Sequence, residues 1–393
     1  MKIAYVVDGN PYDKHSWSGT NYYVRRSLEN QGNNVYCIYG FKPKYTIVSL
    51  AKKVIAKLIG KDYKQKRCKQ TSSQWAKYIK KNLQKDTDAI FSLGTVQVAC
   101  LETRIPIFIY VDGIFEQMRI FYGYGNLSQK SIKDANEIEQ LALEKCCKII
   151  SCSIETGECI KDNYKTHTGS LEIVPLGANL DIKPNSSEVF TAIEKRDTDV
   201  CHLLFVGVTW QRKGADIVLE TTRILHDRGF KVVLHICGLR EIPVELPNYV
   251  VNHGFLRKSN EEEFEVLKSL YLSSHFLFVP SRAEAYGLVF CEASAFGLPS
   301  ISHKVGGLTT IVEDGQNGKL FELGTSPDVF ADYIEKTFRN KDGYRELCKN
   351  SYKRYENLLN WDVAGKKLTE LIEQNHWCHD VDLIDNGRQL PVV

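Results

Sequence analysis

The sequence predicts an α/β protein built of two Rossmann-like, doubly wound domains facing each other across a cleft. Three observations carry that prediction. The chain has 393 residues, too many for one ordinary hydrophobic core and suited to two domains. Short apolar runs alternate with helical patterns, which is the mark of a parallel sheet covered on both faces. The alternation stops at a Pro- and Gly-bearing stretch and then starts again.

The first domain, residues 1–183, opens on the apolar run KIAYVV. That run is too short for a secretory core and Asp8 follows it, so it reads as a first buried strand. A helix from about Ser18 to Gln31 and the run NVYCIYG complete a βαβ opening. DAIFSL, IPIFIYV and CKIISCS are further strands, and helices fill Ser128 to Cys146 and Ile154 to Asn163. The stretch EIVPLGANLDIKPNSSE, with Pro175, Gly177 and Pro184, reads as a linker. The second domain, 184–355, restarts with CHLLFVG and a helix from about Ala215 to Arg228. KVVLHICG, YVVNHG and HFLFVP are its further strands. A helix within 356–375 is expected to cross back to the first domain, and the tail 376–393 has no periodicity.

Composition excludes several classes. A net charge of +3 singles out no partner, and no run of eighteen apolar residues exists to span a bilayer. The 12 cysteines are scattered, with no CxxC pair. Reduced thiols in a cytoplasmic protein follow from that pattern. Cys146, Cys147, Cys152 and Cys159 cluster in sequence, but their spacing matches no familiar zinc pattern. No metal is expected.

The stretch SRAEAYGLVFCEASAFG, 281–297, carries two carboxylates eight positions apart. Glu284 falls in the loop at the carboxyl end of the HFLFV strand. Glu292 falls inside a helix that starts near Gly287. A helix start offers unpaired amides and a positive dipole end, which favour an anion. Carboxylates beside it suit hydroxyl groups. The stretch therefore fits a ligand with a charged middle and hydroxyl-rich ends, such as a nucleotide sugar. Taken alone, the pair is better read as a solvated loop residue and a helix-surface charge.

Other loops point the same way. In FVGVTWQRKGAD, Arg212 and Lys213 stand between a strand and a helix, well placed for a diphosphate. The loop is no Walker A motif, because Ser or Thr does not follow a Gly-Lys pair. Gly306 and Gly307 open another helix as a second backbone nest. Ser18, Gly19 and Thr20 occupy a loop expected to face the same cleft.

With these pieces in place the chain resembles the retaining glycosyltransferases of family 4, of GT-B fold. The resemblance rests on Glu284 and Glu292 in their Glu, seven residues, Glu spacing. FVGVTWQRKG, VPLGAN, VGGLTTIVEDGQNGKLF and LLNWDVAGKKL surround that pair in order. It implies that Glu284 meets hydroxyls of the donor sugar and Glu292 the ribose. It implies that Arg212 and Lys213 bind the diphosphate, helped by the amides near Tyr286, Gly287 and Leu288. Gly19 would let its loop approach the phosphates. The sequence departs from the family at three places. Val208 follows Gly207 where many members have Arg. Val111 precedes Asp112 where many have His, which leaves Asp112 as the acceptor-side candidate, or as a mere turn cap. Thr309 and Thr310 replace a Pro and an acid.

The resemblance further implies a front-face transfer with retention, through an oxocarbenium-like state, with no divalent metal and no cofactor beyond the nucleotide-sugar donor. The acceptor, a glycan or a lipid-linked one, is assigned to the first domain. Residues 42–85 of that domain hold fourteen Lys and Arg against the single acid Asp62. Val48, Leu50, Val54, Ile55, Leu58 and Ile59 share a helix face there, which suits an anionic membrane surface on the cytoplasmic side. A helix packed on the sheet with a solvated basic face is the other reading. Interleaved aromatics (Tyr45, Tyr63, Trp75) do not make a nucleic-acid fold, and no nucleic-acid partner is expected. Two alternatives to the transferase are a GT-B epimerase acting on the nucleotide sugar itself and a non-catalytic nucleotide-sugar binder.

Overall fold

The computed structural model describes residues 1–375 except 123 and 168; the tail 376–393 lies outside the described residues. The chain divides into two compact units, Met1–Pro175 with the segment from Trp361, and Leu176–Asn360. The first division falls at Pro175 rather than at 183. The reason is local: Leu176, Ala178 and Leu180 are buried and tied to second-unit residues. Tyr286 Oη donates to the Leu176 carbonyl (2.9 Å) and the Ala178 amide donates to the Leu359 carbonyl (2.9 Å).

In the first unit, β1 (Lys2–Val6), β2 (Asn34–Ile38), β3 (Ala89–Ser92), β4 (Ile107–Val111), β5 (Lys148–Ser151) and β6 (Leu171–Ile173) form one sheet. The order is β2-β1-β3-β4-β5-β6 and every pairing is parallel. The apolar runs of β1, β3, β4 and β5 are buried nearly throughout, as strands covered on both faces demand, while the edge strands β2 and β6 are only partly covered. The chain leaves β1 towards β2 on one side, and β3 takes the other. The carboxyl ends of β1 and β3 are therefore the switch point where such sheets bind ligands. The helix Thr20–Asn30 packs against the helix Trp361–Asn375. A Cβ on Gly365 would lie 2.5 Å from the Ser27 carbonyl oxygen, so only glycine permits this approach. Tyr23 stacks on Trp361 and Asn33 Nδ2 donates to Thr369 Oγ1 (2.9 Å).

The second unit repeats the plan. Its strands are β7 (Cys201–Val206), β8 (Val232–Cys237), β9 (Val250–Asn252), β10 (Phe276–Phe278), β11 (Ser300–His303) and β12 (Gly318–Phe321). The order β12-β11-β10-β7-β8-β9 puts the switch point between β7 and β10.

The 172–188 stretch is not the pure linker that its prolines and glycine suggest. It begins inside β6, a three-residue edge strand, and leads into the helix Ser186–Lys195. Asn185 caps that helix through its Oδ1, which accepts the Ser187 amide (2.8 Å). Pro and Gly dominate the local pattern, while β6 exists only because β5 offers it a backbone edge.

Candidate functional site

At the switch point of the second unit two loops are stitched together. After β7 the chain makes a single turn, Trp210–Lys213, and reaches Gly214 at φ 72°. A Cβ on Gly214 would sit 2.2 Å from the Pro280 carbonyl oxygen, so glycine alone lets this loop press on the one after β10. The Arg282 amide donates to the Arg212 carbonyl (2.8 Å), and Arg212 Nη1 donates back to the Ala283 carbonyl (3.0 Å). Arg282 grips both oxygens of Asp216, at 2.8 and 2.6 Å. Burial alone would raise the Asp216 pKa, but the Arg282 guanidinium more than offsets it and holds the carboxyl below its ordinary value. His303 on β11 faces the Pro280 and Ser281 carbonyls through Nδ1 (3.0 and 3.2 Å), so this nitrogen must carry its proton.

That framework holds Glu284, buried, against three donors. Its Oε2 pairs with Lys213 Nζ in a close, buried ion pair, lies 3.5 Å from Arg212 Nη1, and accepts from Ser281 Oγ (3.3 Å). The structure thus brings together Glu284, Lys213 and Arg212 from loops some seventy positions apart.

Glu292 sits in the helix Leu288–Ala295, also buried. Its Oε1 pairs with Lys258 Nζ and its Oε2 accepts from Tyr271 Oη (3.3 Å). Gly287 caps the start of this helix at φ 105°, where a Cβ would meet Leu308 at 2.6 Å. By helix geometry the first amides, from Leu288 on, have no partner within the helix. The Tyr286 side chain is an anchor on the Leu176 carbonyl. Gly306 takes φ 52° and Gly307 gives its own amide to the Ala285 carbonyl (3.0 Å). A Cβ on Gly307 would lie 2.7 Å from Tyr286 Cα, so the pair shapes the turn by close approach. The helix it opens, Leu308–Ile311, is a single turn.

Asp112 and Gly19 belong to the first unit. Asp112 follows β4 and lines a cavity of about 410 Å³ at the carboxyl ends of the strands, with Asp8, Asn21, Arg67, Gln97 and Glu139. Burial pushes the Asp112 carboxyl up to about 7, against the opposing pull of the Arg67 guanidinium. Arg67 Nη1 pairs with Glu139 Oε1 at 2.6 Å. Three buried oxygens on the cavity wall, Asn21 Oδ1, Gln97 Oε1 and Glu139 Oε2, accept no hydrogen bond from the described residues. Such acceptors seek donors (a ligand's hydroxyls among them) because unpaired burial is costly. Gly19 takes φ 88° and caps the helix Thr20–Asn30, following Trp17 and Ser18, which also have positive φ.

Sequence reasoning missed Lys258, Tyr271, Ser281 and the Arg282–Asp216 clamp. Ser281 and Arg282 carried a signal, as the first two residues of the same stretch that holds Glu284. Lys258, Tyr271 and Asp216 lie outside that stretch, and Lys258 and Asp216 look like surface charges until the loops are folded together. Among the described residues no group of three or more His, Cys, Asp or Glu is placed to hold a metal ion.

Residues 187–354 match the family model described as Glycosyl transferases group 1. An uncharacterized glycosyltransferase of Methanocaldococcus jannaschii is 31% identical over 173 residues, covering 44% of this chain and 47% of that protein. The chain spans about half the length of the curated relatives it matches. Among solved structures, the sucrose-phosphate synthase of Thermosynechococcus elongatus superposes with TM-score 0.64 at 18% identity, covering 95% of this chain and 98% of that one. HepE of Anabaena in complex with UDP-glucose gives TM-score 0.62 at 14% identity, with 95% and 100% covered. The fold is GT-B, two parallel six-stranded sheets with their helices. The match of residues 187–354 is a likeness to the glycosyl transferases group 1 family, and the solved structures show the shared fold.

Proposed function

We propose that the chain is a retaining glycosyltransferase, cytoplasmic and independent of metal, that moves a sugar from a nucleotide-diphosphate donor onto a hydroxyl of a glycan or lipid-linked acceptor. The observation that carries the reading is the Lys213, Arg212 and Glu284 cluster at the switch point of the second sheet. Two cations there meet the donor diphosphate and stabilise charge on the leaving phosphate as the bond to the anomeric carbon breaks. Only Oε2 of Glu284 is engaged by those donors, so Oε1 is left to accept a hydroxyl of the sugar. Glu292, fixed by Lys258 and Tyr271, takes the ribose hydroxyls.

The acceptor hydroxyl bonds to the anomeric carbon on the face the phosphate leaves, and its proton passes to the departing phosphate oxygen. The first unit supplies the acceptor side. The unpaired oxygens of Asn21, Gln97 and Glu139, with Asp112, suit the hydroxyls of a sugar or polyol. A bound UDP-glucose in a neighbour of the same fold supports the donor class.

The test is a thermal-shift screen against UDP, GDP, ADP and their sugar conjugates in the presence of EDTA. A ligand at a hundred times its Kd stabilises by about 2.7 kcal/mol, an easily seen shift. One responding nucleotide, followed by a product of retained anomeric configuration by NMR, is the expected result. A response only with added divalent metal sinks the metal-free reading, and an inverted product sinks retention.

A further inference from the structure

The helix Ile47–Leu58 stands on the first unit the wrong way round for a soluble protein. Its small and polar residues are the ones that hold it down. Ser49 and Ala56 are buried, and Gln65 Nε2 donates to Ser49 Oγ (2.8 Å). Lys52 Nζ reaches Asp134 Oδ2 at 3.0 Å, an oxygen that Tyr63 Oη also donates to. Its large apolar residues point away. Ile47 is 85% and Leu58 80% exposed, and Val48, Leu50, Val54, Ile55 and the following Ile59 are exposed as well.

At 100° per residue these side chains sweep an arc of about 180° on the side opposite Ser49 and Ala56. Scattered exposed aliphatics are ordinary, but a contiguous face of this kind marks an interaction surface. Had the helix merely packed on the sheet, this face would be the buried one. Among the described residues nothing covers it.

Charge selects the occupant. Lys53 and Lys57 flank the apolar arc, and Lys42, Lys44 and Lys61 are exposed around the ends of the helix. The helix contains no acid, and Asp62 is the only one between Lys42 and Lys64. An apolar face edged by lysines lies in the plane of a bilayer, with its aliphatics at the acyl boundary and its ammonium groups among anionic headgroups. A protein partner would more commonly answer such a face with its own apolar surface and would not need the lysine rim.

We infer that the helix Ile47–Leu58 is a membrane-docking element that seats the first unit on an anionic lipid surface. The inference stands apart from the donor chemistry, since it uses no residue of either candidate site. It makes a membrane-embedded hydroxyl-bearing acceptor the natural class for the enzyme to reach.

The test is cosedimentation of the full chain with vesicles of phosphatidylcholine alone and of phosphatidylcholine with phosphatidylglycerol. Binding should be at least about tenfold stronger with phosphatidylglycerol and should weaken as salt is raised, since anionic-surface attraction is screened. The double variant Ile55→Glu/Leu58→Glu should lose that binding while keeping its melting temperature, because both side chains are already exposed. Lys53→Ala/Lys57→Ala should lose the preference for phosphatidylglycerol. Absence of binding by the unaltered chain overturns the inference, as does undiminished binding by I55E/L58E. A stable dimer by light scattering that the same variant dissociates, with no vesicle binding, assigns the face to a second copy instead.

Discussion

The two units share one architecture and differ in what they place at the carboxyl ends of their strands. In the second, the loops after β7 and β10 are tied to each other in both directions, and the buried carboxylates are matched to cations: Glu284 to Lys213 and Arg212, Glu292 to Lys258. In the first, one buried carboxylate, Glu139, is likewise paired, with Arg67, but the edge opens on a cavity with three unpaired buried oxygens and a carboxyl lifted to about 7. The difference teaches how one fold is adapted twice. A charged ligand calls for a fixed array of opposite charge whose reorganisation is already complete. A neutral, hydroxyl-rich ligand calls for acceptors held out of water and waiting for donors.

The sharpest way to break that contrast is Lys213→Ala. It leaves Glu284 buried without its close partner and, in the proposed reaction, removes a cation from the leaving group. Transfer should fall by about a hundredfold to a thousandfold in kcat, the scale seen when a preorganised charge-stabilising donor is removed. Rapid-quench turnover at saturating donor checks it, with circular dichroism to confirm the fold. A variant within threefold of the parent would mean that Arg212 and the helix start suffice.

A smaller effect separates the two carboxylates of the second unit. Glu292→Gln keeps the shape but weakens the Lys258 pair and the acceptance of ribose hydroxyls. Free nucleoside diphosphate should bind about tenfold more weakly by calorimetry, equivalent to about 1.4 kcal/mol. Glu284→Gln should spare the free nucleotide and weaken only the intact nucleotide sugar. Equal losses for both ligands in both variants would erase the division of labour between sugar and ribose.

How far this was legible in the sequence follows from what each residue depends on. Strands such as IFIYV and FLFV announce themselves because a sheet buried on both faces needs unbroken apolar runs. Glu284, Arg212 and Lys213 stand within three positions of glycines that a sharp turn or a close approach requires, and Glu292 follows in the helix that Gly287 opens, so loop and chemistry are written together. Lys258 and Tyr271 were invisible because their meaning lies in a partner 34 or 21 positions away. The edge strand β6 was hidden by the Pro and Gly that follow it. The helix Ile47–Leu58 was legible as amphipathic, but which face it shows depends on Asp134 and Gln65, and no local pattern encodes that.

The first unit gives the smallest and most specific test, because its distinctive group titrates. Asp112 has a folded pKa of about 7, whereas a carboxyl in an unfolded chain ionises near 3.9. Between about pH 4 and 7 the unfolded chain has released this proton and the folded chain still binds it, so stability falls as pH rises through that window and levels off above it. Asp112→Asn cannot ionise and escapes the loss. The variant should therefore gain on the parent as pH rises, reaching several degrees in melting temperature at pH 8, where each kcal/mol is worth about 2–4 °C. At pH 4 the two should melt together, since Asp112 is protonated there and its amide replacement is isosteric. If Asp112 also accepts the hydroxyl of the acceptor, kcat/KM of the parent rises through pH 7 and the variant's profile loses that step. A melting difference that did not change with pH would place Asp112 in contact with water rather than in the cavity wall. The contrast between the two edges would then rest on the unpaired oxygens of Asn21, Gln97 and Glu139 alone.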